Sequence, residues 1–227
     1  MNTILQIAST PGSTDSVNHA SDSVSILDLA IKGGWVMIPI GLLSIMAVYI
    51  IVERMLTLKK ADKDPERFID KIKEMVYYGD ITGALAQCRQ FDTPFSRMIE
   101  KGISKIGTPL TSIEASIENV AKMEIYKLEK NLSILATISG AGPMLGFFGT
   151  VTGMVQAFIA IAQEEGTVSP KLLSSGMYEA MITTVGGLIV GIIAYIGYNY
   201  LVSKVDKIVN KMEYSSIEFI ELLQQPK

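Results

Sequence analysis

Cysteine, histidine and tryptophan each occur once in these 227 residues. A single Cys88 excludes an intrachain disulfide framework. His19 stands alone, so neither a Cys/His metal cluster nor a histidine-activated nucleophile is expected. A Gly-x4-Gly-Lys-Ser/Thr phosphate loop is also missing. These absences argue against an enzyme and against any metal or cofactor. Charge is scarce as well, with 19% Asp, Glu, Lys and Arg and a net charge of −3. The lysines are scattered without aromatic interleaving, so no nucleic-acid groove is expected.

What remains is apolar: 48% of the residues are hydrophobic. They are clustered. Trp35 to Val52 and Asn131 to Gln163 carry no charge, and Leu172 to Ser203 carries only Glu179. Each run reaches the roughly 20 residues that a helix needs to cross hydrocarbon. The reading is therefore all-α, a multi-pass membrane protein with three transmembrane helices.

Of the 20 Lys and Arg residues, only Lys32 and Lys171 lie outside the segments that follow the first and third runs. Basic residues favour the cytoplasmic side. This puts the amino terminus outside and the carboxyl terminus inside. Residues 1–33 then form a flexible extracytoplasmic tail, 34–53 the first span and 54–130 a cytoplasmic helical region. The second span is 131–162, a short outer loop 163–175, the third span 176–202, and 203–227 a cytoplasmic helix. No basic residue precedes Lys32 and Gln6 breaks the early apolar cluster Ile4 to Ile7, so a cleaved signal peptide is not expected.

Between the first two spans the apolar positions recur at helical spacing. Phe68 to Val76, Ile81 to Arg89 and Phe95 to Ile106 read as short amphipathic helices separated by Tyr78-Gly79-Asp80 and Phe91-Asp92-Thr93-Pro94. After Pro109 no breaker intervenes before Gly140, which predicts one unbroken helix from about Ser112 to Ala162. Ser169 and Pro170 are suited to cap and open the third helix. Its amphipathic pattern continues past Tyr200, so two long helices extend into a cytoplasmic bundle.

The second run is a costly way to anchor a protein. From Gly140 to Phe158 it holds five glycines, Pro143, Thr150 and Thr152, which lower helix propensity and place hydroxyls in hydrocarbon. Gly142 with Gly146, Gly149 with Gly153, and Gly187 with Gly191 each put small residues one turn apart, allowing helix backbones to approach. Pro143 is a candidate kink. A membrane threonine commonly bonds to a carbonyl one turn back in its own helix. Thr150, Thr152, Thr183 and Thr184 on neighbouring helices could instead form a polar strip that supports water.

Glu179 is open to two readings: a carboxylate in the early turns of a helix, favoured by the helix dipole, or an intramembrane carboxylate facing a hydrated cavity. Thr183 follows four residues later on the same face, whereas Thr184 is rotated from Glu179 by about 140°. Which of the two lines a passage is left open.

The run Gly142 to Phe158, followed by Gly176 to Leu188, resembles the proton-channel signature of the MotA/TolQ/ExbB family. The three-span layout is most similar to its ExbB and TolQ branches. The resemblance implies a homo-oligomer, a pentamer, in the bacterial inner membrane with its amino terminus periplasmic. Its second and third spans would surround a single-span ExbD- or TolR-like partner carrying an aspartate. Proton flow would drive rotation relayed to a TonB- or TolA-like transducer, amid membrane lipids. Thr150 and Thr184 fall on the family's pore threonines and Glu179 on its glutamate, while Thr183 stands where relatives often have a small apolar residue. An ExbB-like role in TonB-dependent import is the leading implication and a TolQ-like envelope role the alternative. A gliding or flagellar stator, or a non-conducting scaffold, are further alternatives.

Overall fold

A computed structural model describes residues 33–62, 65–163 and 170–224 of the chain. The amino-terminal tail with His19, expected to be extracytoplasmic, the cap expected at Ser169 and residues 164–169 of the expected outer loop lie outside them. Among the described residues seven helices are defined: α1 Met37–Ala61, α2 Pro65–Tyr77, α3 Ile81–Phe91, α4 Pro94–Ile103, α5 Leu110–Leu128, α6 Leu132–Gln163 and α7 Pro170–Gln224. There is no strand among the described residues. Three stretches, Met37–Ala61, Leu110–Gln163 and Ser174–Gln224, are long and apolar enough to cross a membrane. The chain is all-helical with three potential spans.

The short helices start and stop where local chemistry requires it. Asp80 caps α3 by accepting the Gly83 N–H at 2.9 Å. At α4 the Thr93 N–H donates to Ser96 Oγ at 2.8 Å, and the Ser96 N–H donates back to Thr93 Oγ1 at 3.4 Å. This is a capping box, with Pro94 preset for the first helical position. Phe68, Phe91 and Phe95 meet with ring centroids 4.9 to 6.1 Å apart. Around them Ile72, Met98, Ile99, Ile103 and Ile117 are buried and pack with Met212 and Phe219 of α7. The carboxyl-terminal half of α7 is thus the spine of a bundle formed by α2 to α5.

The predicted unbroken helix from Ser112 to Ala162 does not form. It divides at residues 129–131, where Asn131 takes φ +66° and leaves the helical ladder. Asparagine tolerates that left-handed conformation better than most residues. The Lys127 carbonyl, which a continuing helix would pair with the Asn131 N–H, instead accepts from Arg54 Nη1 at 3.1 Å. Arg54 also forks onto Glu53, Nε to Oε2 at 2.8 Å and Nη2 to Oε1 at 2.5 Å. A buried guanidinium of α1 therefore caps the end of α5, where Asn131 turns out of the helix.

By contrast α7 does run without interruption over 55 residues, about 80 Å at helical rise. It starts at Pro170 as its residue type suggests, so residues 170–175, read as outer loop, are helical. α6 also stays helical through Pro143. The proline ring packs on Gly191, where a Cβ would come within 2.5 Å of Pro143 Cδ. The Ser139 carbonyl, which Pro143 cannot serve as donor, lies against the same glycine.

Candidate functional site

The hydroxyls and Glu179 are positioned by the antiparallel pairing of α6 with α7. Along α6 the contact residues are Gly142, Gly146, Gly149, Gly153 and Ala157; along α7, in reverse order, they are Gly191, Gly187, Thr183, Ala180 and Gly176. A spacing of three or four residues keeps each set on one helix face. A Cβ on Gly142 would sit 3.0 Å from the Gly187 carbonyl oxygen, and one on Gly187 2.8 Å from Gly146 Cα. The main chains are in direct contact, as expected of small residues where lipid removes the hydrophobic drive. Sequence reasoning named six of these glycines and missed the pairing of Gly176 with Ala157, which the small-residue spacing of both helices already carried.

The same seam separates the two adjacent threonines. Thr183 is 1% exposed, with its hydroxyl donating to the Ala180 carbonyl at 2.7 Å and its side chain filling the space opposite Gly149. Thr184 is half-buried at the seam's edge and donates across it to the Gly146 carbonyl at 3.0 Å. That carbonyl is also the helical acceptor for the Thr150 N–H. Thr184 and Thr150 thus converge on one peptide group, from the neighbouring helix and from one turn onward. Thr150, also half-buried, donates to the Phe147 carbonyl at 2.6 Å, and Thr152 bonds to Phe148 and Gly149 carbonyls at 3.0 and 3.1 Å. The own-helix hydroxyl bond holds for Thr150, Thr152 and Thr183; across the seam Thr184 makes the shorter bond to the Gly146 carbonyl, which the Thr183 hydroxyl also approaches at 3.5 Å.

Glu179 is directed to a place that the sequence did not indicate. Its carboxylate lies against Gly34, just before α1, where a Cβ would collide with it. Gly34 has φ +66°, so a side chain there is disfavoured on both counts. The amino end of α1 is held on two further sides. Trp35 stacks edge-on against Phe148 of α6 at 6.2 Å, and Met37 packs on Gly186 of α7. The single acid of the third apolar run thus sits where all three potential spans meet.

Outward from this seam the helices are apolar and uncovered. Met144, Phe147, Val151 and Phe158 of α6, and Met181, Val185 and Ile192 of α7, are between 41% and 74% exposed. Such a belt needs lipid or other helices around it. Among the described residues no group of three or more His, Cys, Asp or Glu side chains could hold a metal.

A profile described as the MotA/TolQ/ExbB proton channel family matches residues 90–214. The chain belongs to that family. Among individual relatives, an ExbB homolog of Methanothermobacter thermautotrophicus is 29% identical over 191 residues, covering 83% of this chain and 67% of that one. The biopolymer transport protein ExbB of Aquifex aeolicus is 34% identical over 139 residues, 60% of this chain and 86% of its own. The Tol-Pal system protein TolQ of Haemophilus influenzae is 34% identical over 105 residues, 45% and 44% of the two chains. ExbB-type names outnumber the TolQ-type one among these MotA/TolQ/ExbB relatives.

Proposed function

We propose that the protein is the channel-forming subunit of a proton-driven motor in a bacterial inner membrane, acting in ExbB fashion to energise TonB-dependent import. The observation that carries this reading is the Thr184 hydroxyl, which donates across an otherwise apolar seam to the Gly146 carbonyl one turn before the half-buried Thr150 of the facing helix. A hydroxyl both donates and accepts, so it can order a water chain without the cost of a fixed charge in hydrocarbon. Thr150 and Thr184 are assigned to the pathway. Thr183, closed off between helices, is assigned to packing.

One acid and no base in the spans make a poor proton relay on their own. A single-span partner of ExbD or TolR type, supplying an aspartate, would complete it inside a homo-oligomeric ring, a pentamer by family resemblance. Glu179, anchored on Gly34, would lie toward the periplasmic end of that ring, given an outward amino terminus and the predominance of Lys and Arg in residues 54–130 and 203–227. A TonB-like transducer would receive the motion. A TolQ-like envelope role is the second reading, favoured by the TolQ relative.

The test is co-reconstitution with a single-span protein of ExbD or TolR type from the same organism. Proton uptake into vesicles should depend on that partner and fall to background in Thr150→Val and Thr184→Val. Uptake that is indifferent to both hydroxyls would exclude the reading.

A further inference from the structure

We propose that a cleft between α1 and α7 binds one anionic phospholipid headgroup of the inner leaflet. The cleft measures about 330 Å³ and is lined by Met55, Leu58, Lys59, Asp62, Tyr200, Leu201 and Lys204. Two of its walls are apolar: Leu58 and Leu201 are almost fully buried, while Met55 and Tyr200 remain half open to the surroundings. Its mouth is cationic. Asp62 is neutralised by Lys211, so it does not offset the other two lysines. Among the described residues neither Lys59 nor Lys204 forms an ion pair, and the Lys204 ammonium sits 5.8 Å from the centre of the Tyr200 ring.

The height of the cleft selects the occupant. Lys204 directly follows the third apolar run, and Lys59 stands two turns beyond the end of the first, so both ammonium groups reach the level where a bilayer presents its phosphates. Free phosphate would satisfy the lysines but would leave the Met55, Leu58 and Leu201 wall wet. A phospholipid satisfies both, with its phosphate between the lysines and the start of its acyl chain along the apolar wall. A lysine near an anionic lipid surface contributes about fivefold to affinity, so the pair should contribute about 25-fold. The inference rests on the three-span topology proposed above, and not on proton conduction.

Native mass spectrometry of the full chain in mild detergent, titrated with phosphatidylglycerol or phosphatidylcholine, tests it. The wild type should retain phosphatidylglycerol preferentially. The double variant Lys59→Gln with Lys204→Gln should lose about 25-fold of that affinity with phosphatidylcholine retention unchanged, and the Arg pair should restore it. Lys122→Gln, on the exposed face of α5, should leave it intact. Equal retention by the double Gln variant overturns the site, as does displacement of the lipid by inorganic phosphate. Proton uptake is read on the same preparations: uptake without any phosphatidylglycerol preference would remove the lipid site and leave the proton pathway standing.

Discussion

The Arg54 guanidinium donates to the Lys127 carbonyl at 3.1 Å, joining residues 73 apart in sequence at the point where α5 ends. Arg54 is 5% exposed and shares its remaining donors with Glu53. Replacing it by Leu removes the cap of α5 and leaves the Glu53 carboxylate short of its partner. The expected loss is about 1–3 kcal/mol, below the figure for a fully buried pair because Glu53 retains some water. Arg54→Lys should recover only part of it, since a single ammonium cannot serve both acceptors. Chemical unfolding in detergent, followed by circular dichroism, measures both.

The glycine seam gives a paired prediction. Gly187→Ala drives a methyl to 2.5 Å from the Gly142 carbonyl oxygen, and neither main chain can yield without separating the helices. A cost of about 1–3 kcal/mol is expected, as for other overpacked contacts. Gly41 of α1 has open space around its Cα. There Ala should be neutral or stabilising by up to about 1 kcal/mol through helix propensity. The melting temperature of the Gly187 variant should fall, and that of the Gly41 variant should hold or rise.

Acid should act through Glu124, which is 3% exposed and paired with Arg97 at 2.7 Å and Lys127 at 2.7 Å. Burial pushes its carboxyl upward, but the hydrogen bonds and charges of Arg97 and Lys127 outweigh this and hold it below the ordinary value of 4.5. A lowered carboxylate stabilises the fold at pH values above its unfolded value. That contribution fades as pH falls from 4.5 through the folded value. Glu124→Gln should be less stable at pH 7, by about 1–3 kcal/mol, and should show a flatter decline below pH 4.5. Stability measured from pH 7 down to pH 3 for both proteins checks the sign.

Cys88 should be inert in the folded protein. Burial, helped by the nearby Glu100 charge, raises its thiol to about 12, and it is 1% exposed. With almost no thiolate and no access, alkylation by iodoacetamide at pH 8 should run at least about 100-fold slower than in urea. Native labelling at the unfolded rate would show that α3 is not packed as described.

The spans were readable in sequence because runs free of charge and the small-residue spacing of Gly142 to Gly153 are local patterns. The short helices were readable for the same reason: Asp80, Thr93 and Pro94 act within one turn of themselves. The division at Asn131 was not read, because asparagine is a weak local stop and the guanidinium that caps the Lys127 carbonyl comes from another helix. Nor was the placement of Glu179, whose neighbour Gly34 lies on α1's amino end and is brought there only by the packing of three helices. Thr183 and Thr184 could be seen to diverge by the angle between successive helical residues. Only the seam with Gly146 and Gly149 assigns the buried side to Thr183 and the edge to Thr184.

The central claim is that the hydroxyls of Thr150 and Thr184 carry protons. Proton uptake by vesicles holding the chain with the single-span partner proposed for it, under an imposed inside-negative potential, tests it most directly. Thr184→Val should abolish uptake while the assembly keeps its size and melting temperature, and Thr184→Ser should conduct. Wild-type rates in a well-assembled Thr184→Val protein would contradict the account.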